Sequence, residues 1–131
     1  MWLSTIATIG RVAAQVGHSE ICSIIYEMLA PYADENTISF ASVYGTVHHH
    51  LGELAVATGE FDRATDHLED ALDSHRDNGF EGWYAETLYL AALLEQRRDG
   101  RATAESLTRA RRAAEDVGAT AVLRRIDAIG P

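Results

Sequence analysis

Apolar residues recur at three- and four-residue steps along most of this chain, the period of one helix face, and polar breaks divide them into short segments. The clearest unit spans residues 45–78. Its first half sets Tyr44, Val47, His48, Leu51, Leu54 and Ala55 on one stripe, and Gly59 interrupts the pattern. Glu60 and Asp62 follow, acids in a first helical turn where the dipole favours negative charge. Phe61, Ala64, Leu68, Ala71 and Leu72 then form a second stripe, closed by Asn78-Gly79. Small residues at Gly52, Ala64 and Ala71 allow two antiparallel helices to approach closely. A lone hairpin of this kind cannot bury both faces, so it needs neighbours.

The flanking segments read as copies of it. Trp2, Ile6, Ile9, Val12, Ala13 and Val16 predict a first helix ended by Gly17. Ser19 is the expected N-cap of the next helix, which Pro31 stops. Shifted by 42 residues, Ile9-Gly10 falls on Leu51-Gly52, Gly17 on Gly59 and Cys22 on Ala64. Residues 33–38 are polar turn chemistry, which starts the central helix near Ser39. A shift of 39 residues generates a third pair, with Trp83, Leu88, Leu90, Ala91 and Leu94 facing Ala104, Leu107, Ala110, Ala114 and Val117. Ala121, Val122, Ile126 and Ile129 make a final helix that covers the end of the stack. The predicted architecture is all-α, with no strand: a single domain over 1–131 with repeats at 3–36, 45–78 and 84–117 and a cap at 119–129.

Leu51-Gly52, Ala55, Gly59-Glu60-Phe61-Asp62, Ala64, Leu68 and Ala71-Leu72 resemble the tetratricopeptide repeat, whose period is about 34 residues. His48 stands where that family usually has Trp, and Arg76 where it has Pro. The runs WLSTIATIGRVAA, YEMLAPYADEN, HLGELAVATGEFDRATDHLEDAL and ARRAAEDVGA resemble the helical-repeat tail of large bacterial signalling ATPases, of adenylate-cyclase-like or LuxR-type kinds. The resemblance implies a right-handed α-solenoid of three antiparallel helix pairs plus a C-terminal capping helix. It also implies a non-catalytic scaffold for protein–protein interaction or transcription regulation. Any ATPase or cyclase chemistry would lie in other domains.

Composition agrees with a globular chain: 47% hydrophobic and 24% charged residues, two prolines and one cysteine. No apolar run reaches the roughly 18–20 residues of a membrane span, no secretory leader pattern is present, and a cytoplasmic setting is expected. The opening at Met1-Trp2, already inside a helical pattern, fits a fragment or a short open reading frame. The net charge is −9, and it is uneven: residues 1–95 hold fifteen acids against three arginines, residues 96–131 five acids against eight. An acidic body opposes nucleic acid as a direct partner. The arginines of the last pair (Arg109, Arg111, Arg112, Arg124, Arg125) suggest docking on the acidic middle of a second copy, a homo-oligomer, or of a parent chain, or else simply a solvated face.

Catalytic and metal motifs are absent: there is no GxxxxGK[ST], GxSxG, HExxH or CxxC. No cofactor, catalytic residue or metal site is assigned. Adjacent helical residues point about 100° apart, so His48, His49 and His50 cannot converge on one ion. His48 is expected at the helix-pair interface, with His49 and His50 partly exposed. Asp66, Glu69, Asp70 and Asp73, with His67, read as a solvated acidic face, and Cys22 as a buried hydrophobe. By the resemblance, binding falls to the inner face, lined by the first helix of each pair: Arg11 and Gln15, then His49, Glu53 and Val56, then Leu88, Ala92, Glu95 and Gln96. Glu53 and Glu95 would answer a protein or peptide partner bearing Arg or Lys. The alternative is a small-ligand sensor, with a metabolite enclosed in the concave cavity.

Overall fold

A computed structural model describes residues 2–39 and 42–130, without the side chains of 38–44, where the expected stripe residue Tyr44 lies. Seven α-helices dominate the described residues: α1 (Trp2–Val16), α2 (Ser19–Leu29), α3 (Val47–Thr58), α4 (Phe61–Asp77), α5 (Glu81–Asp99), α6 (Ala104–Asp116) and α7 (Thr120–Ile129). The predicted break at Gly59 (φ 77°) is a left-handed glycine that ends a helix, as is Gly100 (φ 81°). None of the described helices is long and apolar enough to cross a membrane.

One expectation fails between α2 and α3. Residues 33–38 do not form a turn that leads straight into a helix. After a short 3-10 turn (Ala30–Tyr32), β1 (Asn36–Ser39) and β2 (Ser42–Thr46) pair antiparallel, Ile38 opposite Val43, with an irregularity between Asn36 and Ile38. The segment is rich in β-branched residues (Thr37, Ile38, Val43, Thr46), which favour extended backbone. Tertiary contacts anchor it. Val47 N–H donates to Glu35 C=O at 2.8 Å, Thr46 N–H to His75 Nε2 at 3.0 Å, and Thr37 Oγ1–H to Gly45 C=O at 2.9 Å. Gly45 has φ 81°, and a Cβ there would stand 3.0 Å from the Trp83 ring. The central helix therefore begins at Val47, not near Ser39.

The α1 stripe is also rotated from its expected face. Ser4, Ala7, Gly10 and Ala13 are buried, whereas Trp2, Ile9, Val12 and Val16 are exposed, Val16 at 72%. A Cβ on Gly10 would lie 2.7 Å from Ile25 and 3.3 Å from Leu54, so small residues let α1 settle against α2 and α3. The displaced large residues continue into Ile21, Ile24, Met28 and Tyr32 as an exposed apolar face. His18, not Ser19, caps α2, its Nδ1 accepting from Ile21 N–H at 3.4 Å.

The middle of the chain packs as its pattern predicts. Ala64, Leu68 and Ala71 of α4 are buried, and a Cβ on Gly52 would stand 2.5 Å from Leu68 Cδ2. Helix α3 is buried almost all round, Val47 and His49 through Val56, because elements pack on more than one side of it. At the far end Val122 and Ile126 of α7 cover Ala110 and Ala114 of α6. Ala64→Leu is expected to cost about 1–3 kcal/mol by overpacking, seen as a lower denaturation midpoint in urea. An unchanged midpoint would mean that α3 and α4 do not meet as closely as they do here.

Candidate functional site

Four helices, α1, α3, α5 and α7, line a half-open cavity of about 390 Å3. Its walls come from single helix faces at three- and four-residue spacing: Arg11, Ala14 and Gln15 from α1; Glu53, Val56 and Ala57 from α3; Tyr89, Leu90, Leu93 and Arg97 from α5; Ala121 and Arg125 from α7. Aliphatic and aromatic side chains supply much of the lining, and the charged groups are few and convergent.

Glu86, on α5, ties three helices together within this wall. Arg125 Nη2 donates to its Oε1 at 2.7 Å, and Arg11 Nη2 approaches both its oxygens at 3.3 Å. The aromatic residues of α5 hold the same guanidiniums: Arg125 lies 4.9 Å from the Tyr89 ring centroid and Arg11 5.8 Å from that of Trp83. Arg97 has no ion-pair partner among the described residues.

Glu53 is the anomaly. It is 8% exposed and its Oε1 has no hydrogen-bond partner among the described residues. Burial pushes its carboxyl up to about 7; Arg11 and Arg125 pull the other way and Glu86 adds to the rise. An unpaired buried polar group costs about 1–3 kcal/mol, so its retention needs a reason.

Of the expected inner-face residues, Arg11, Gln15, Glu53 and Val56 line this cavity. His49 lies deeper, at 0% exposure, and Leu88 and Ala92 belong to the core. Glu95 caps α6 instead, accepting from Thr103 N–H at 2.8 Å and Ser106 Oγ–H at 2.5 Å, and Gln96 donates to Ile129 C=O at 3.2 Å. The wall of α5 is Tyr89, Leu90, Leu93 and Arg97, and Tyr89, Leu93 and Arg97 each stand one residue beyond the expected Leu88, Ala92 and Gln96. Arg125 was missed as a site residue because only the fold brings α7 beside α1 and α5.

The histidines are inverted relative to expectation: His49 and His50 are buried, and His48 is the partly exposed one. Their bonding directions follow from the hydroxyl of Thr87. Its proton goes to Trp83 C=O at 2.9 Å, so it can only accept from His49 Nδ1–H at 2.8 Å and His75 Nδ1–H at 3.1 Å. His75 Nε2, accepting from Thr46 N–H, is then bare, as this tautomer requires. Burial lowers both histidines, His49 well below its usual value and His75 to about 4, with His50 adding to each. This network clamps the hairpin to α4 and α5.

On the outer side His67 accepts from Tyr26 O–H at 2.7 Å and meets His48 Nδ1 at 3.1 Å, and His48 Nε2 reaches Asp34 at 3.1 Å. Burial lowers the His67 pKa, with His48 beside it. No group of three or more His, Cys, Asp or Glu is arranged to hold a metal ion among the described residues. Asp66, Glu69, Asp70 and Asp73 are exposed, Asp73 pairing with Arg76. Cys22 is fully buried.

Comparison with known proteins finds no match: no family model, no characterised protein and no solved structure matches this chain.

Proposed function

We propose that this chain is a non-catalytic recognition module, a tetratricopeptide-like right-handed α-solenoid of three helix pairs and a cap, whose inner-face cavity is its binding site. The observation that carries the reading is the cavity itself. It joins apolar walls to a small set of converging charges, one of them a buried carboxyl with an unpartnered oxygen. The repeat resemblance supports a regulatory role beside a bacterial signalling ATPase, with binding here signalled to domains elsewhere.

The geometry changes the expected charge of the partner. With Glu95 occupied at the α6 cap and Glu53 buried, little carboxylate remains to meet Arg or Lys. Three guanidiniums line the recess, which favours an anionic group over a basic segment. Arg111 pairs with Asp127 at 2.7 Å, and Arg125 faces the recess beside Glu86.

Ala57→Trp tests the site by filling the cavity with an indole. Amide chemical-shift mapping of peptides and small molecules against wild type should place any binder on α1, α3, α5 and α7, and the variant should lose it. Binders that survive the substitution and perturb only the Asp66–Asp73 face would defeat the reading.

A further inference from the structure

The charge of the cavity runs against that of the chain, which is −9 overall. Arg11, Arg97 and Arg125 line one recess, opposed by Glu53 and Glu86. Glu86 engages a single nitrogen, Nη2, of Arg11 and of Arg125, whereas a guanidinium carries five N–H donors. Arg97 has no ion-pair partner among the described residues. At the same site Glu53 lines the recess, and its Oε1 is buried with no hydrogen-bond partner among the described residues. Donor groups for an anion and the Glu53 carboxyl thus meet in one half-open recess of about 390 Å3, within the size range of small-molecule sites.

We propose that the cavity binds a compact small-molecule anion, a carboxylate or phosphate that carries a hydroxyl or ammonium donor beside its charge. Arg97 and the spare N–H groups of Arg11 and Arg125 take the anion, and Glu53 accepts from the neighbouring donor. The second group sets the selectivity. A simple anion meets the arginines but leaves Glu53 unanswered and close to its own charge, so donor-bearing anions bind more tightly. The inference rests on the cavity being the recognition site and adds the class of ligand it takes.

Thermal-shift and calorimetric titrations with glycerol 3-phosphate, L-malate and L-serine, each against sulfate, test it and separate the phosphate from the carboxylate source. At least one donor-bearing probe should raise the melting temperature by about 5 °C at about ten times its Kd. Arg97→Gln should leave the unliganded melting temperature unchanged and weaken that probe about tenfold or more, since a charge-assisted contact is lost. Glu53→Leu removes an unpaired carboxyl, so the variant folds; it should weaken the donor-bearing probe and spare sulfate. The inference is overturned if none of the three probes acts, if Arg97→Gln binds as wild type does, or if Glu53→Leu weakens sulfate equally. A peptide held in the cavity and lost in Ala57→Trp, with every small anion silent, would refute the ligand class alone. Binding mapped only to other faces would refute both.

Discussion

Thr87→Val is expected to be among the most damaging single substitutions in this protein. Valine matches the shape of threonine and removes only the hydroxyl. That hydroxyl accepts from His49 and His75, both 0% exposed, and donates to Trp83 C=O. Its loss leaves the buried His49 N–H without its acceptor, at a cost of about 1–3 kcal/mol, and takes one of two contacts from His75, whose ring also bonds the Trp83 carbonyl. A domain of this size has a stability on the order of 5–15 kcal/mol, so the midpoint in urea should fall visibly. Thr87→Ser restores the oxygen and should recover most of the loss, giving up only a methyl group worth about 1 kcal/mol. Equal midpoints for wild type and Thr87→Val would show that the histidines are not held through this residue.

Glu53→Gln is expected to stabilise the protein at neutral and alkaline pH and to change the slope of stability with pH. Two groups act in opposite directions. The His75 pKa is about 4 in the folded chain against 6.5 as a model value, so the unfolded chain binds more protons between those limits. That contribution is present above 6.5 and is lost as pH falls toward 4; His49 acts in the same direction. Glu53 is raised from 4.5 to about 7, so here the folded chain binds more protons, and stability is lost as pH rises through that window. Each is worth about 3 kcal/mol on the scale of 1.36 kcal/mol per tenfold change in proton affinity. In wild type the two offset each other across most of the range. Glutamine removes the Glu53 side, leaving stability that rises steadily from acid to neutral pH and a gain of up to about 3 kcal/mol near pH 8. Chemical denaturation at several pH values measures both. A variant no more stable than wild type near pH 8 would mean that Glu53 pays no burial cost.

The helices and most of their ends were legible along the chain. Gly59 and Gly100 mark two of them because a left-handed residue is cheap only for glycine, a property of the residue and not of its surroundings. The α4 face of Ala64, Leu68 and Ala71 was equally readable, since the other sides of that helix are plainly polar. The α1 face was not. Its residues are apolar on more than one side, and periodicity cannot say whether the large or the small ones turn inward. The fit of Gly10 against Ile25 and Leu54 decides it.

The hairpin and the cavity lie further from the sequence still. Residues 33–38 read as polar turn and the stretch after Ser39 as helix, whereas β1 and β2 pair with each other and are held by His75 and Trp83 from α4 and α5. Arg11, Glu86 and Arg125 are separated by 75 and 39 residues and meet in one network. Local pattern determines which segments are helical and where they stop, because backbone propensity and capping act within a few residues. Which charges converge, and which carboxyl is left buried and unanswered, depends on the packing angles of helices distant in the chain, and only the tertiary structure decided that.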